Sequence, residues 1–156
     1  MKLARAAIAL LAILGSSQVL AKDAPVSLGD RLIQDAKDGS VANVQQDLAD
    51  GADVNSRHKN GRTALMLNAE WGEEVDVTNV LLAHGADVNA KDNEGRTALM
   101  WAAELDKTDF VRLLVAHGAD VNAKANDGTT ALSLAEGDEQ GVDEDLVDWL
   151  RAHGAQ

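Results

Sequence analysis

The chain has 156 residues, enough for a single domain, with 26 acidic residues against 14 lysines and arginines. Its net charge of −12 opposes binding to nucleic acid and to anionic membrane surfaces. The absence of cysteine excludes a disulfide framework and a lipid anchor attached through a thiol.

The first 21 residues have the pattern of a secretory signal peptide. Lys2 and Arg5 precede an unbroken apolar run over residues 6–14, and Ala21 ends the segment at a site suited to a signal peptidase. The run is too short to span a bilayer, and its lack of a polar face counts against the alternative of an uncleaved amphipathic helix. We expect a periplasmic or secreted protein with no membrane insertion after cleavage, because no later segment is long and apolar enough.

Residues 22–29 contain the only proline and are predicted to form a linker. Beyond them two motifs recur with one period of 34 and then 33 residues. Gly-Ala-Asp-Val-Asn begins at Gly51, Gly85 and Gly118, and Gly-x-Thr-Ala-Leu begins at Gly61, Gly95 and Gly128. A shared period predicts stacked units, which form binding surfaces far more often than active sites. The four units lie near residues 30–57, 58–91, 92–124 and 125–156.

Each unit predicts a turn, a short helix, a loop and a second helix. In the second unit, Gly61 suits the turn, Thr63 is a helix N-cap, and Gly85 suits a left-handed C-cap. The second helices carry matching apolar columns, such as Val77, Phe110 and Leu146. Helices this short are not stable alone, so each has to pack against its neighbours.

The terminal units carry polar residues at positions that are apolar elsewhere. Gln46 and Asp47 stand where the later units have a pair of large apolar residues, and Arg151 stands in place of Leu82. We expect these polar side chains to lie on the solvent-facing surfaces of capping repeats.

The period, together with Gly-Arg-Thr-Ala-Leu-Met-Trp-Ala-Ala over residues 95–103, resembles the ankyrin repeat. That family has a period of about 33 residues and the motif Thr-Pro-Leu-His-x-Ala. Ala98 replaces its proline and Met100 its histidine, and we expect from this a modest loss of rigidity without a change of fold. The resemblance covers residues 30–156 and implies an all-α ankyrin solenoid of four helix-turn-helix repeats joined by β-turn fingers.

The resemblance also implies a function, which is noncovalent binding of a folded protein by a monomer without a cofactor. Some exported bacterial ankyrin proteins of this size are associated with a periplasmic catalase and support resistance to peroxide, and the resemblance permits that role. The identity of the partner does not follow from it.

In such a solenoid the fingers and the first helices line a concave face. The fingers are residues 57–62, 91–96 and 124–129, and they hold six of the twelve basic residues that follow the signal segment. A basic edge steers an acidic patch of a partner, although duplication of the units also explains its recurrence. Trp71 and Leu105 occupy matching positions at the ends of the first helices. The residues expected to contact the partner are Lys59, Arg62, Trp71, Asn93, Arg96, Leu105, Asn126 and Asp127.

The two remaining tryptophans have structural interpretations. Trp101 matches Leu67 and Leu134 and is predicted to be wedged between repeats, and Trp149 stands in a core column of the second helices. Trp71 is therefore predicted to be the main apolar anchor for a partner.

Signals for an enzyme are weak, since no nucleophile, phosphate-loop or zinc-protease motif occurs. His84, His117 and His153 each precede a C-cap glycine, but stacked positions about 8–10 Å apart cannot share one ion. The acidic segment 136–145 lacks the spacing of a calcium loop. A metal-dependent hydrolase using this segment stays an alternative hypothesis, as does an effector or immunity protein that acts on another cell.

Overall fold

The computed structural model describes residues 26–137 and 143–156, which form eight α-helices in four antiparallel pairs. The predicted signal peptide, residues 22–25 and residues 138–142 of the acidic segment lie outside these ranges. The helices are α1 Leu28–Lys37, α2 Val41–Ala49, α3 Ala64–Trp71, α4 Asp76–Ala83, α5 Ala98–Glu104, α6 Thr108–Ala116, α7 Ala131–Ala135 and α8 Glu144–Ala152. Their order confirms the predicted all-α solenoid of four repeats.

The predicted helix boundaries follow from the capping residues. The hydroxyl of Thr63 accepts a hydrogen bond from the N–H of Met66, and Thr97 and Thr130 cap α5 and α7 in the same way. The glycine that follows each second helix has positive φ, for example +85° at Gly85. Glycine adopts this left-handed conformation without strain, which confirms the predicted C-caps.

Helix α1 begins at Leu28, two residues before the predicted start of the first repeat. The reason is Ser27, whose Oγ accepts a hydrogen bond from the N–H of Asp30 at 3.0 Å. Serine is a favoured N-cap, and this signal lies inside the segment 22–29 that is predicted to form a linker. The end of that segment is therefore the first turn of a helix.

The fingers are hairpin turns that connect successive repeats. In the first finger the N–H of His58 donates to the carbonyl oxygen of Arg62 at 2.8 Å, and the equivalent bond begins at Asp92 and Ala125 in the next two. Within the described ranges the only β-type pairing is one antiparallel bridge between Arg57 and Thr63. The fingers therefore hold no strands and are short, tightly bonded turns.

The core lies between two layers of helices. The inner helices α1, α3, α5 and α7 pack directly on one another, and each packs against the outer helix that follows it. Alanines such as Ala64, Ala69, Ala98 and Ala102 are buried along the inner stack, where small side chains allow close approach of the helices. The predicted column of Val77, Phe110 and Leu146 is buried in the outer layer.

Asp47 contradicts the prediction that the polar residues of the first unit face solvent. Its side chain is buried at the position that Leu81 takes in the next repeat, and it accepts a hydrogen bond from Nε of Arg31. Burial raises the pKa of Asp47 above its ordinary value, although Arg31 acts in the opposite direction. The terminal repeat is thus closed by an ion pair where the next repeat uses leucine. Arg151, by contrast, is exposed as predicted.

Candidate functional site

The asparagine of each Gly-Ala-Asp-Val-Asn motif joins its repeat to the next one. Nδ2 of Asn55 donates to the carbonyl oxygen of Gly85 at 3.2 Å, and its Oδ1 accepts from the N–H of Asp87 at 2.8 Å. Asn89 and Asn122 make the same pair of bonds to the following repeat. The asparagine of each motif is therefore hydrogen-bonded to the same motif in the next repeat. Asn122 is bonded to Gly154 and Gln156, the matching positions of the last repeat. These bonds explain why the motif follows the period of the stack.

A second set of asparagines holds the fingers in a row. The N–H of Asn93 donates to the carbonyl oxygen of Asn60 at 3.1 Å, and its Nδ2 donates to that of Lys59 at 3.3 Å. Asn126 makes the equivalent bonds to the second finger. Gly61 has to be glycine here, because a Cβ atom would lie 2.8 Å from the backbone nitrogen of Asn93. Asn93 and Asn126, both predicted as partner contacts, thus have a structural function in aligning the fingers.

Trp101 lies between two arginines on the concave face, which we define as the surface of the inner helices and fingers. The guanidinium carbons of Arg62 and Arg96 are each 3.6 Å from the centroid of its ring, and its indole N–H donates to Asp92 at 3.3 Å. Cation–π contacts of this kind stabilise partly desolvated groups. The stack joins the first two fingers to α5 and agrees with the prediction that Trp101 is wedged between repeats.

The same stack changes the interpretation of the basic finger edge. Arg62 pairs with Glu70 at 2.7 Å and Arg96 pairs with Glu104, and the arginine side chains are only 12% and 15% exposed. Their charges are largely compensated within the protein. Arg57 and Lys91 also donate to carbonyl oxygens of the fingers.

Two of the six finger cations are left with no side-chain bond or ion pair in the described part of the chain, and these are Lys59 and Lys124. The sequence predicts a basic edge of all six cations because it does not show the pairing of Arg62 and Arg96. Their partners, Glu70 and Glu104, lie on the inner helices and become neighbours of the finger arginines only after folding. Asp127 is exposed at the third finger, where its carboxylate accepts from the N–H of Thr129 at 2.9 Å. That bond and the Thr129 hydroxyl lower the pKa of Asp127.

Trp71 and Leu105 are large apolar side chains at the ends of the inner helices α3 and α5, and they are exposed at 57% and 47%. Trp71 is the last residue of α3, and Leu105 follows α5 directly. Nζ of Lys37 lies 5.2 Å from the centroid of the Trp71 ring. The exposure expected for both residues is therefore present, while their contact with a partner stays a prediction.

A groove of about 680 Å³ lies between the first finger, α1 and α3, with Trp71 in its wall. Its floor includes Ile33 and Leu67, and its rim includes Lys37 and Lys59. We call it the first-finger groove. It combines apolar surface with two cations, which is a suitable composition for binding a protein segment.

A second groove of about 530 Å³ lies on the other side of Trp71, between the loops that follow α3 and α5. Its lining carries the acidic side chains of Glu73, Glu74 and Asp109. Trp71 therefore separates a groove with basic residues from one with acidic residues.

Lys107 holds the end of α3 in place from the next repeat. Its Nζ donates to the carbonyl oxygens of Glu70 and Gly72, both at 2.7 Å, and desolvation lowers its pKa. The sequence does not predict this contact, because the residue equivalent to Lys107 in the second unit is Glu74. A lysine that is not repeated from unit to unit does not stand out in the pattern. The bond orients the helix end that presents Trp71.

The described residues, 26–137 and 143–156, contain no group of three or more histidine and carboxylate side chains suited to a metal ion. His84, His117 and His153 instead each donate from Nδ1 to the carbonyl oxygen four residues earlier, at 2.8–2.9 Å. This agrees with their predicted interaction with helix C-termini. The ring of His153 also stacks on Trp149 with centroids 3.8 Å apart, in keeping with a structural function for that tryptophan. None of the helices in this part of the chain combines the length and apolarity needed to cross a bilayer.

Comparison with known families matches the chain to a family model described as ankyrin repeats (3 copies). The matched residues are 32–125 and 80–156, which together extend from within α1 to the end of α8. A comparison with curated proteins finds no match.

Proposed function

Since the chain belongs to the ankyrin repeat family, whose members are protein-interaction modules, we propose that its concave face binds a folded protein partner. The observation that carries the proposal is the exposure of Trp71 and Leu105 at matching positions of adjacent repeats. Exposed tryptophan on a rigid element is a favourable anchor, because burial of tryptophan commonly dominates the energy of an interface.

Rigidity of the face supports the same function. The asparagine bonds between motifs, the asparagine bonds between fingers and the Trp101 stack order the surface before any partner arrives. A surface that is ordered in advance loses less conformational entropy on binding, so more of the contact energy contributes to affinity. The protein acts in this proposal as a monomeric binding scaffold rather than as an enzyme.

The proposed site of action is the periplasm, or the exterior of the cell, after removal of residues 1–21. Support comes from the basic start, the apolar run and the cleavage site of that segment. Within the periplasm the proposed role is support of a partner enzyme, such as a catalase, in resistance to oxidative stress. This role rests on the family resemblance and requires noncovalent binding only.

The direct test is capture of partners from periplasmic extract by the wild-type protein and by a Trp71→Ala, Leu105→Ala double variant. Asn79→Ala serves as a matched control, because Asn79 is exposed on the outer helix α4 and not on the concave face. We expect the double variant to lose at least about 30-fold in affinity, the loss typical of an anchor residue worth 2 kcal/mol or more. The control is expected to bind as the wild type does.

Equal retention of the partner by wild type and double variant would refute the assignment of the concave face. Circular dichroism of the double variant and of the Asn79→Ala control checks that the helices are intact. We expect them to be intact, because Trp71 and Leu105 do not belong to the buried core. Binding of purified catalase to the immobilised wild-type protein then tests the narrower role, which is support of a catalase.

A further inference from the structure

The first-finger groove differs in charge from the rest of a strongly acidic protein. The lysines at its rim, Lys37 and Lys59, form no ion pair within the described residues. Asp30 is the one carboxylate among the lining residues, and it accepts a hydrogen bond from the hydroxyl of Ser27 at 2.8 Å. Arg62 also reaches the groove, but it is paired with Glu70.

The neighbouring grooves have the opposite character. The groove at the second finger contains Glu70, Asp92 and Glu94 around Arg62, so its acids outnumber its cations. The groove beyond Trp71 carries Glu73, Glu74 and Asp109, and its lysine, Lys107, is committed to backbone carbonyls. Among these three surfaces the first-finger groove is therefore the one with an excess of uncompensated positive charge.

The apolar part of the groove is shaped to accept a side chain. Ile33 forms buried floor, Leu67 is half-buried beside it, and the exposed ring of Trp71 forms a wall. Lys37 lies over that ring, so the cation and the apolar wall are presented together. A ligand that matches both features needs a carboxylate close to a large apolar side chain.

We propose that the first-finger groove binds an acidic segment of the partner that carries one large apolar side chain. The apolar side chain packs between Trp71 and the floor, and the flanking carboxylates pair with Lys37 and Lys59. This inference rests on the proposed function, and it names the chemical class of segment that the concave face selects. Recognition depends on the local charge of the segment, because the Debye length of about 8 Å at physiological ionic strength screens the acids elsewhere on the surface.

The test uses short synthetic peptides and the ¹⁵N-labelled protein, with binding followed by amide chemical shifts. Three peptides are compared: one with Glu and Asp around a central Leu, one with Lys in place of the acids, and one with the acids around a central Gly. We expect the first to shift the resonances of α1, α3 and the first finger, and to bind at least about tenfold more tightly than the other two.

Charge-reversal variants assign the binding to the two lysines. The double variant Lys37→Glu, Lys59→Glu is expected to bind the acidic peptide at least about tenfold more weakly than the wild type does. Lys124→Glu is expected to leave the affinity for this peptide unchanged. Lys124 is a matched control, because it is an exposed finger lysine outside this groove. A Lys37→Gln, Lys59→Gln pair repeats the test with a smaller change of charge in case the reversal disturbs folding.

Several outcomes would overturn the inference: equal binding of the basic peptide, equal loss in the Lys124 variant, or no shift of groove resonances at millimolar peptide. These outcomes are separable from failure of the proposed function. A partner that is captured through Trp71 and Leu105 but tolerates both lysine variants refutes the acidic segment alone. An acidic peptide that still binds the groove, together with a partner that wild type and the Trp71→Ala, Leu105→Ala variant retain equally, refutes the broader proposal.

Discussion

Replacement of Asn89 by alanine tests how the repeats are joined. Asn89 lies in the centre of the three motif asparagines and bridges the second repeat to the third. Its Nδ2 donates to the carbonyl oxygen of Gly118 at 3.0 Å, and its Oδ1 accepts from the N–H of Asp120 at 2.8 Å. Alanine removes both bonds and leaves the backbone of its own repeat unchanged.

The expected loss follows from the number and the exposure of these bonds. A hydrogen bond contributes a net 0.5–1.5 kcal/mol or so to stability, and water can replace an exposed partner at little cost. Asn89 is exposed, so values at the lower end apply to each bond, and we expect a loss of about 1–2 kcal/mol in the free energy of unfolding. For a domain of this size that loss lowers the melting temperature by about 4–8 °C.

Urea and thermal unfolding followed by circular dichroism measure this loss. Asn79→Ala is the control, because the Asn79 side chain makes no hydrogen bond within the described residues and is exposed on α4. Alanine is the better helix former, so the control is expected to be neutral or slightly stabilising. A difference below about 0.3 kcal/mol between the two variants would refute the bridging role, since it lies within the error of such measurements.

The position of the asparagine predicts where the stack opens. Stability in a repeat protein is approximately a sum of repeat energies and nearest-neighbour interfaces. Asn122→Ala is therefore expected to increase amide hydrogen exchange mainly in α7 and α8, while Asn89→Ala weakens the interface at the middle of the stack. Uniform loss of protection in both variants would contradict this division.

Three further substitutions test the charges of Lys107, Asp47 and Asp127. Lys107→Met is expected to lower the free energy of unfolding by about 1–3 kcal/mol, measured in urea, because two carbonyl groups at the end of α3 lose a charged donor; Lys124→Met is the neutral control. Asp47→Asn tests the raised pKa of Asp47. Because the Asp47 carboxyl binds its proton more tightly in the folded than in the unfolded state, the stability of the wild type relative to this variant should fall as pH rises above 3.8. Asp127→Asn tests a lowered pKa, and here the relative stability of the wild type should be present above pH 3.8 and disappear as pH falls through the folded pKa. Slopes of the same sign in the two aspartate variants would refute the assigned causes.

The fold follows from sequence wherever the determining interaction is local. Thr63 caps the helix that begins at the next residue, and Gly85 ends a helix only a few positions after the last buried leucine, so period and composition predict both. The exposure of Trp71 was also predictable, because Leu105 occupies the matching position and neither belongs to a column of the core.

The features that sequence reasoning missed depend on contacts between different repeats. Asp47 was expected to face solvent, and its burial follows from Arg31 on the preceding helix. The compensation of Arg96 by Glu104 requires the finger to fold back onto α5. Lys107 reaches the end of α3 across a repeat boundary. In each case a charge finds its partner only in three dimensions, and charge counting along the chain overstates the basic character of the face.

The unequal surroundings of the three indole rings make the protein its own optical reporter. Trp101 is enclosed by two guanidinium groups and Trp149 is covered by an imidazole, whereas Trp71 is largely open to solvent. Solvent polarity shifts indole emission to longer wavelength, so the red edge of the intrinsic fluorescence comes chiefly from Trp71. A ligand that covers the first-finger groove removes the Trp71 ring from water and shifts its emission to shorter wavelength. Binding can therefore be titrated by intrinsic fluorescence, without a dye or a label.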